Sequence, residues 1–207
     1  MSDVRGQWED QYRQGSTPWD TRITPPEVVQ FWTEHTVPPG GVALDLGCGT
    51  ATNVAYLAGC GLFTIGCEFS SLALVIGQTR LHQNHAALLP RIHLIQADVT
   101  QLPLRGIQAC YMLDIGCFHG LDAAVRPAYV QGVVDNLASG GYYHLFAFDL
   151  LPEAERPPDK LPRGVGEREV EELFAPQLQV VDILRGNPDR QPCRWYLLRK
   201  GLGGSVF

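Results

Sequence analysis

The segment GVALDLGCGTATNVAYLAGCG, residues 41–61, decides the fold of this chain. The apolar run from Val42 to Leu46 predicts a short buried strand, with Asp45 as its one carboxylate. Gly47 and Gly49 follow directly and predict a tight turn. Because glycine allows a positive φ and has no Cβ, the backbone of such a turn can lie against a flat ligand. The segment therefore predicts a strand that stops at a ligand-binding loop.

A helix is expected immediately after this turn. Val54, Leu57 and Ala58 should point inward from it, and Thr50 or Thr52 is positioned to cap it. Glycines shortly after Ala58 should end the helix.

The charges around the turn discriminate between its possible ligands. A phosphate-binding loop needs a lysine directly after its glycines, and no lysine occurs between Arg22 and Arg80. The next strand ends in Glu68, which follows Asp45 at close to the roughly 20 residues typical of a ribose-binding carboxylate. NAD has the same ribose, but Asp45 would repel its pyrophosphate and would attract the ammonium and sulfonium of S-adenosylmethionine. A dinucleotide loop would also carry glycine or alanine where this chain has Asn53.

Three segments resemble the cofactor motifs of the class I S-adenosylmethionine-dependent methyltransferases: LDLGCGTATN, IGCEFS and ADVTQLPL. The resemblance implies that the first segment holds the methionine end, the second the ribose and the third the adenine. The cofactor-binding residues implied in these segments are Asp45, Gly47, Cys48, Gly49, Thr50, Asn53, Glu68, Phe69, Asp98 and Val99. The family often has a third glycine where this chain has Ala51, and we expect alanine to be tolerated because it suits a helix start.

Strands and helices alternate along the rest of the chain. Ser70 or Ser71 should cap a helix over residues 72–89 that ends at Pro90, and a fifth strand is expected at Tyr142–Phe148. The other strands are expected near residues 62–67, 92–97, 107–114, 178–184 and 193–199. This alternation predicts an α/β fold: a Rossmann-like, seven-stranded, mostly parallel doubly wound sheet with an antiparallel last strand and helices on both faces. Ligands of such sheets bind at the carboxyl ends of the strands.

A single methyltransferase domain over residues 1–207 is expected. Its parts are an aromatic helical cap (1–36), the Rossmann-like core (37–200), a proline-rich and charged surface loop within that core (151–166), and a tail (201–207).

Composition limits the classes of partner. The formal net charge is −6, and no basic run exceeds Arg199-Lys200. Because phosphate binding relies on clustered cations, no nucleic-acid partner is expected. No segment matches the length of a membrane span, and six cysteines without CxxC spacing predict reduced thiols. We expect a cytoplasmic monomer or weak homodimer that acts on a small molecule.

Aromatic residues are dense before the first strand. Trp8, Tyr12 and Trp19 are expected to form a lid over the bound sulfonium, since a cation sits well on an aromatic face. Trp8 and Trp19 are assigned to the cofactor and Tyr12 to the substrate. For Phe31 and Trp32 the alternative is that these aromatics only pack helices onto the sheet.

The loop after the fourth strand is where methyl transfer is expected. Asp114 is assigned to the cofactor, and Gly116 and Phe118 to the substrate. His119 is the candidate general base, because an imidazole with an ordinary pKa near 6.5 can accept a proton at neutral pH. The alternative is a histidine that only hydrogen-bonds the loop backbone. No metal site is expected.

Four further segments, WEDQYRQGSTPWD, LDIGCFHGL, LFAPQLQVVDI and WYLLRK, resemble the small-molecule branch that includes the thiopurine S-methyltransferases and the thiol, halide and tellurite-resistance methyltransferases. The likeness implies that the elements at Trp8 and at Pro18-Trp19 fold over the cofactor and that Asp114 and Gly116 help form the pocket. Where that branch often has arginine, this chain has Ile115, which favours a neutral thiol or apolar acceptor over an anion.

The predicted function is methyl transfer from S-adenosylmethionine to a small acceptor, a thiol or another soft nucleophile, without an essential acid or base. The alternatives are methylation of an oxygen or nitrogen of a specialised metabolite, S-adenosylmethionine binding without catalysis, and an NAD-dependent oxidoreductase.

Overall fold

The computed structural model describes residues 4–153, 164–186 and 191–202. They fall into two compact units, the first ending at Pro103 and the second beginning at Leu104. Each unit is built from strands that alternate with helices.

The first unit, as described from residue 4 onward, has three parallel strands in the order β3-β2-β1. Its strands and helices are α1 (Val4–Gln14), α2 (Pro26–Glu34), β1 (Val42–Leu46), α3 (Thr52–Gly59), β2 (Phe63–Glu68), α4 (Ser71–Asn84) and β3 (Ile92–Gln96). Leu46 is paired with Cys67, so β1 and β2 end side by side. The loops that follow the two strands are therefore neighbours.

The interior of the first unit is apolar and closely packed. Leu44, Val54 and Leu57 are fully buried. A Cβ at Gly66, within β2, would lie only 2.7 Å from Cys48 Sγ, so glycine leaves the room that the Cys48 side chain needs. Packing thus fixes the loop after β1 against the middle of β2.

Among its described residues, the second unit has four strands in the order β4-β5-β7-β6. Its strands and helices are β4 (Ala109–Ile115), α5 (Arg126–Asn136), β5 (Leu137–Phe148), α6 (Glu169–Phe174), β6 (Leu178–Arg185) and β7 (Cys193–Lys200). β4 and β5 run parallel, whereas β7 is antiparallel to both β5 and β6. A short 3₁₀ turn, Phe118–Gly120, follows β4.

The predicted fold class is confirmed: in the described part of the chain, seven strands, mostly parallel and with an antiparallel last strand, alternate with helices in a Rossmann-like arrangement. The single domain remains a prediction. No helix among the described residues is long and apolar enough to cross a membrane.

Two predicted boundaries are wrong. α4 ends at Asn84, not near Leu89, and residues Ala86–Arg91 form a 3₁₀ turn that contains Pro90. Proline has no N–H and disfavours helical geometry at the residue before it, so the α-helix ends before position 90. β5 begins at Leu137, before the two glycines at 140 and 141, and not at Tyr142 as predicted. The strand continues through these glycines, and its pairing with β4 shifts register between Ala109 and Tyr111.

The expected surface loop at 151–166 is partly outside the described residues, which omit 154–163. Its last part is not a surface loop, because Val165 is only 1% exposed. The Val165 N–H donates to Phe148 O at 2.9 Å, and Leu150 N–H donates to Val165 O at 2.8 Å. Backbone pairing at the end of β5 therefore buries it. Of the predicted tail, residues 203–207 lie outside the described part of the chain.

Candidate active site

The loop after β1, residues 47–50, contains Gly47 and Gly49 and is called the glycine loop below. It is folded back on the end of β2. The N–H groups of Gly47 and Cys48 both donate to Cys67 O, at 2.8 and 3.0 Å. Gly47 and Gly49 have φ values of 75° and 52°, which confirms that the turn needs glycine's conformational freedom.

Ala51 also has a left-handed backbone, with φ 66° and ψ 24°, and it stands at the N-cap of α3 without a side-chain cap. The expectation that Thr50 or Thr52 caps this helix is therefore wrong. Ala51 is also not the ordinary helix-start residue that was expected. An L-residue in this conformation costs about 1–2 kcal/mol, so a glycine would be relaxed there.

The Glu68 carboxylate ties the two neighbouring loops together. Oε2 accepts a hydrogen bond from Gly49 N at 2.9 Å, and Oε1 accepts from the N–H groups of Phe69 and Ser70 at 2.8 Å. Burial raises the pKa of Glu68, although these backbone hydrogen bonds act to lower it. The predicted ribose-binding acid is thus buried at the glycine loop.

Glu9 caps the start of α4 from a distant part of the chain. Its carboxylate accepts from Ser71 N at 2.7 Å, from Leu72 N at 3.3 Å and from both serine hydroxyls, Ser70 Oγ at 3.1 Å and Ser71 Oγ at 2.6 Å. Burial acts to raise the pKa of Glu9, but the hydrogen bonds lower it below its usual value. The predicted serine cap is confirmed as Ser70, whose Oγ accepts from Ala73 N at 3.1 Å.

Asp20 is a second residue that the sequence analysis did not select. Its Oδ1 accepts from Thr50 Oγ1 at 2.8 Å, and its Oδ2 accepts from Arg80 Nη1 at 2.9 Å. Arg80 Nη1 also donates to Thr50 Oγ1. The Thr50 hydroxyl therefore joins this cluster instead of capping α3. The only sequence signal was an acid directly after Pro18-Trp19.

The predicted aromatic lid lies at the glycine loop. Trp19 Nε1 donates to the Tyr12 hydroxyl at 3.2 Å, and the rings of Trp8 and Trp19 meet edge to face at 5.2 Å between centroids. A Cβ at Gly49 would lie 3.0 Å from that hydroxyl, so Tyr12 covers the loop. Burial, with the nearby Glu68 carboxylate, raises the pKa of Tyr12, which keeps its proton.

The other predicted cofactor residues of the first unit differ in their surroundings. Asp45 and Cys48 are buried, at 2% and 7% exposure. Asn53 Oδ1 is buried and has no hydrogen-bond partner among the described residues. Asp98 Oδ1 accepts from Thr100 N at 2.8 Å and from Thr100 Oγ1 at 2.6 Å. Phe69 is half-buried and Val99 is buried.

In the second unit, Asp114 is fully buried at the end of β4. Its carboxylate accepts from Cys117 N at 2.8 Å, Phe118 N at 3.0 Å and the Tyr129 hydroxyl at 2.5 Å. Burial raises the pKa of Asp114 to about 7, although these donors act to lower it. In this structure the acid shapes the turn that contains Gly116, whose φ is 92°.

His119 is only 2% exposed. Its Nδ1 accepts a hydrogen bond from Phe148 N at 3.2 Å, so this nitrogen carries no proton. Burial first, and then the charge of Arg126, lowers the pKa of His119 to about 4, while a backbone hydrogen bond at Phe146 acts to raise it. This arrangement corresponds to the alternative in which His119 hydrogen-bonds the backbone.

Phe118 is fully buried, and the Arg126 guanidinium lies over its ring at 5.2 Å from the centroid. Arg126, which the sequence analysis did not select, also donates to Glu169 Oε1 at 2.6 Å, Gly164 O at 2.8 Å and His119 O at 3.3 Å. Arg126 thus joins the turn after β4 to α6 and to the segment at Gly164. Nothing local in the sequence marks a buried arginine of this kind.

A cleft of about 670 Å³ in the first unit lies beside the glycine loop and is lined by α3, α4 and the segment at Arg22 and Thr24. Among the predicted cofactor residues only Thr50 lines it. Glu68 and Asp98 do not line it, so we do not assign the cofactor to this cleft. Among the described residues, no group of three or more His, Cys, Asp or Glu side chains could hold a metal ion.

Comparison with known proteins gives concordant matches. Residues 4–194 match the model of the thiopurine S-methyltransferase family. A 2-heptyl-1-hydroxyquinolin-4(1H)-one methyltransferase of Mycobacteroides abscessus is 28% identical over 88% of this chain and 77% of its own length. A thiopurine S-methyltransferase of Bordetella pertussis is 29% identical over 81% of this chain and 80% of its own length.

Among solved structures, the 1,6-didemethyltoxoflavin-N1-methyltransferase of Burkholderia thailandensis, with bound 1,6-didemethyltoxoflavin and S-adenosylhomocysteine, is similar with a TM-score of 0.74. The match covers 96% of this chain and 87% of that one at 20% identity. At this identity the likeness shows the fold.

Proposed function

Because this chain belongs to the thiopurine S-methyltransferase family, we propose that it transfers a methyl group to the sulfur of a small thiol or to a comparably soft nucleophile. The reaction class follows from the family: the chain is an S-adenosylmethionine-dependent methyltransferase that acts on a small-molecule acceptor. The acceptor atom and the site residues are the proposed part.

The proposed cofactor site rests on one observation: Glu68 and Tyr12 both contact the loop at Gly49. Glu68 Oε2 accepts from Gly49 N at 2.9 Å, and the Tyr12 hydroxyl lies 3.0 Å from the position that a Cβ of Gly49 would take. A ligand at this point would meet the glycine backbone, a carboxylate and the Tyr12 hydroxyl. Asn53 Oδ1, which is buried and has no partner in the described part of the chain, adds an acceptor that a ligand N–H could satisfy. These residues fit the predicted cofactor.

When bound, S-adenosylmethionine supplies an electrophilic methyl group on a positively charged sulfur. The buried carboxylates of Asp45 and Glu68 would offset positive charge in a medium of low dielectric constant. Glu68 and Asp98 would bind the ribose and the adenine, respectively. Trp8 and Trp19, with Tyr12, would exclude water, and an aromatic ring stabilises an adjacent cation by about 0.5–2 kcal/mol.

The turn after β4 supports an uncharged acceptor. Ile115 stands where the resembling branch often has arginine, so this position cannot pair with an anionic acceptor. A thiol has a pKa near 8.5 and is partly thiolate at neutral pH, so its sulfur can react without a protein base. We therefore assign Asp114 and His119 to shaping the turn at Gly116 and Phe118, and no residue to proton abstraction.

A second candidate acceptor is an oxygen or nitrogen of an aromatic metabolite. The relative in Mycobacteroides abscessus is named for a hydroxyquinolinone, which supports this alternative. We also propose a cytoplasmic monomer or weak homodimer without a nucleic-acid partner, and the net charge of −6 supports the last point.

The test is the formation of S-adenosylhomocysteine by the purified full-length chain. Hydrogen sulfide, small thiols, thiophenols, iodide, tellurite, simple phenols and a hydroxyquinolinone are offered as acceptors, with an acceptor-free control. Turnover with sulfur acceptors alone is the expected result. Turnover with the phenol or hydroxyquinolinone alone would support the oxygen acceptor and overturn the thiol.

A further inference from the structure

Asp20 and Arg80 form a largely buried ion pair between the N-terminal segment and α4. Their side chains are only 11% and 26% exposed, and the charged atoms lie 2.9 Å apart. Both side chains also hydrogen-bond the hydroxyl of Thr50, which belongs to the glycine loop. One cluster therefore joins three stretches of chain that are 30 to 60 residues apart in sequence.

α4 holds Arg80 at a fixed distance from the loop. A Cβ at Gly77 would lie 3.0 Å from the carbonyl carbon of Thr50 and 3.2 Å from Ala51 Cβ, so the helix already packs directly on the loop backbone. Because residues three positions apart share a helix face, Gly77 and Arg80 both face this loop. The Arg80 guanidinium is therefore held in a fixed position, where a side chain of the N-terminal segment can pair with it.

The segment that docks there is the aromatic lid. Trp19 precedes Asp20 directly, and its indole N–H donates to the Tyr12 hydroxyl above Gly49. At the other end of the lid, Glu9 is attached to the start of α4 by four hydrogen bonds. The lid is thus attached at two points, Glu9 and Asp20. Asp20 hydrogen-bonds the glycine loop, through Thr50, whereas Glu9 hydrogen-bonds the start of α4.

We propose that Asp20, held by Arg80, is a positioning residue for the methyltransferase reaction: it holds Trp19 at the glycine loop, against Tyr12, and thereby couples lid closure to cofactor binding. The inference rests on the proposed cofactor site at that loop. Without Asp20, the Glu9 anchor keeps α1 and its Tyr12 in place, while Trp19 is held only by its contacts with Tyr12 and Trp8 and can leave the loop more easily. A ligand that binds under the lid then has to restore the closed arrangement, and its apparent affinity falls by the fraction of molecules that are closed.

The experiment compares Asp20→Ala with the wild-type full-length chain by calorimetric titration of S-adenosylhomocysteine and by acrylamide quenching of Trp19 fluorescence. The Trp19 signal is isolated as the difference between each chain and its Trp19→Phe counterpart. We expect the dissociation constant to rise about tenfold, the range for losing hydrogen bonds to a charged group, and Trp19 to become more accessible to quencher.

Two control variants separate positioning from a general loss of stability. Asp10→Ala removes another carboxylate of the same segment, one that is paired with Arg13 on the exposed surface of α1, and it should leave both readouts unchanged. Asp20→Asn has nearly the same shape but only one acceptor oxygen and no charge, so it keeps one of the two hydrogen bonds that Thr50 and Arg80 donate. It should fold and bind S-adenosylhomocysteine with an affinity between those of Asp20→Ala and wild type.

Wild-type affinity in Asp20→Ala, or reduced affinity with unchanged Trp19 quenching, would overturn the latch and leave the proposed cofactor site standing. An affinity of Asp20→Asn no higher than that of Asp20→Ala would likewise overturn it. If the wild-type chain itself fails to bind S-adenosylhomocysteine, the proposed cofactor site is wrong and the latch is overturned with it.

Discussion

The Glu68 carboxylate and the backbone N–H of Gly49 are joined by a hydrogen bond of 2.9 Å, which links the end of β2 to the loop after β1. The acid expected to bind the ribose is thus also part of the scaffold of the glycine loop. Its other oxygen serves the N–H groups at the start of α4. One side chain therefore serves both the geometry of the loop and the proposed ribose contact.

Glu68→Ala should therefore weaken S-adenosylhomocysteine binding by about 1.5–3 kcal/mol, the usual worth of hydrogen bonds to a charged group. It should also lower the melting temperature, because the N–H groups of Gly49, Phe69 and Ser70 lose their acceptor. Titration calorimetry and thermal unfolding measure the two effects. Glu68→Gln, which keeps one acceptor oxygen and nearly the same shape, is the matched control. An affinity equal to wild type in Glu68→Ala would remove the ribose role.

Ala51→Gly should change the free energy of unfolding by less than about 0.5 kcal/mol, because relief of the left-handed backbone offsets the lost buried methyl and the greater freedom of the unfolded chain. Ala55→Gly, inside α3 and also buried, should cost about 1.5–2 kcal/mol, because no strain is relieved there. Urea denaturation distinguishes the two positions. Equal losses at both would contradict the strain at Ala51.

His119→Gln should leave the pH dependence of methyl transfer unchanged between pH 5 and 8, because the pKa of His119 is lowered to about 4 and the ring is neutral throughout that range. Between this pKa and the ordinary value of 6.5, the unfolded state binds a proton at His119 and the folded state does not. Wild type should therefore lose stability relative to the variant as the pH falls from about 6.5 to about 4. An inflection near pH 6.5 that disappears in His119→Gln would instead establish a catalytic base.

Asp114→Asn should remove a pH dependence of stability. The pKa of Asp114 is about 7 in the folded chain, against an ordinary value of 3.8, so the folded state keeps a proton that the unfolded state releases. Relative to the variant, wild type should therefore lose up to about 4 kcal/mol of stability as the pH rises from about 4 to about 7. Denaturation at several pH values measures the slope, with the exposed Asp135→Asn as control. A difference that does not vary with pH would contradict the raised pKa.

Much of the fold is predictable because its signals are local. β1, with its bounds at Val42 and Leu46, the glycine turn and the alternation of strands with helices all follow from apolar periodicity and from where glycine stands. The end of α4 and the start of β5 are less predictable. Each depends on residues outside the element itself: a 3₁₀ turn containing Pro90 follows α4, and the pairing of β5 with β4 shifts register.

The sequence by itself determined the succession of strands and helices, the glycine loop and the acids at the strand ends, because these depend on residues close in sequence. Only the tertiary structure decided that Glu9 caps α4 and that Asp20 meets Arg80, since residues about 60 positions apart leave no periodic pattern. It also decided that Asp114 and His119 are buried, because burial depends on what packs around a side chain. Side-chain chemistry is local, but its surroundings are assembled by the whole fold.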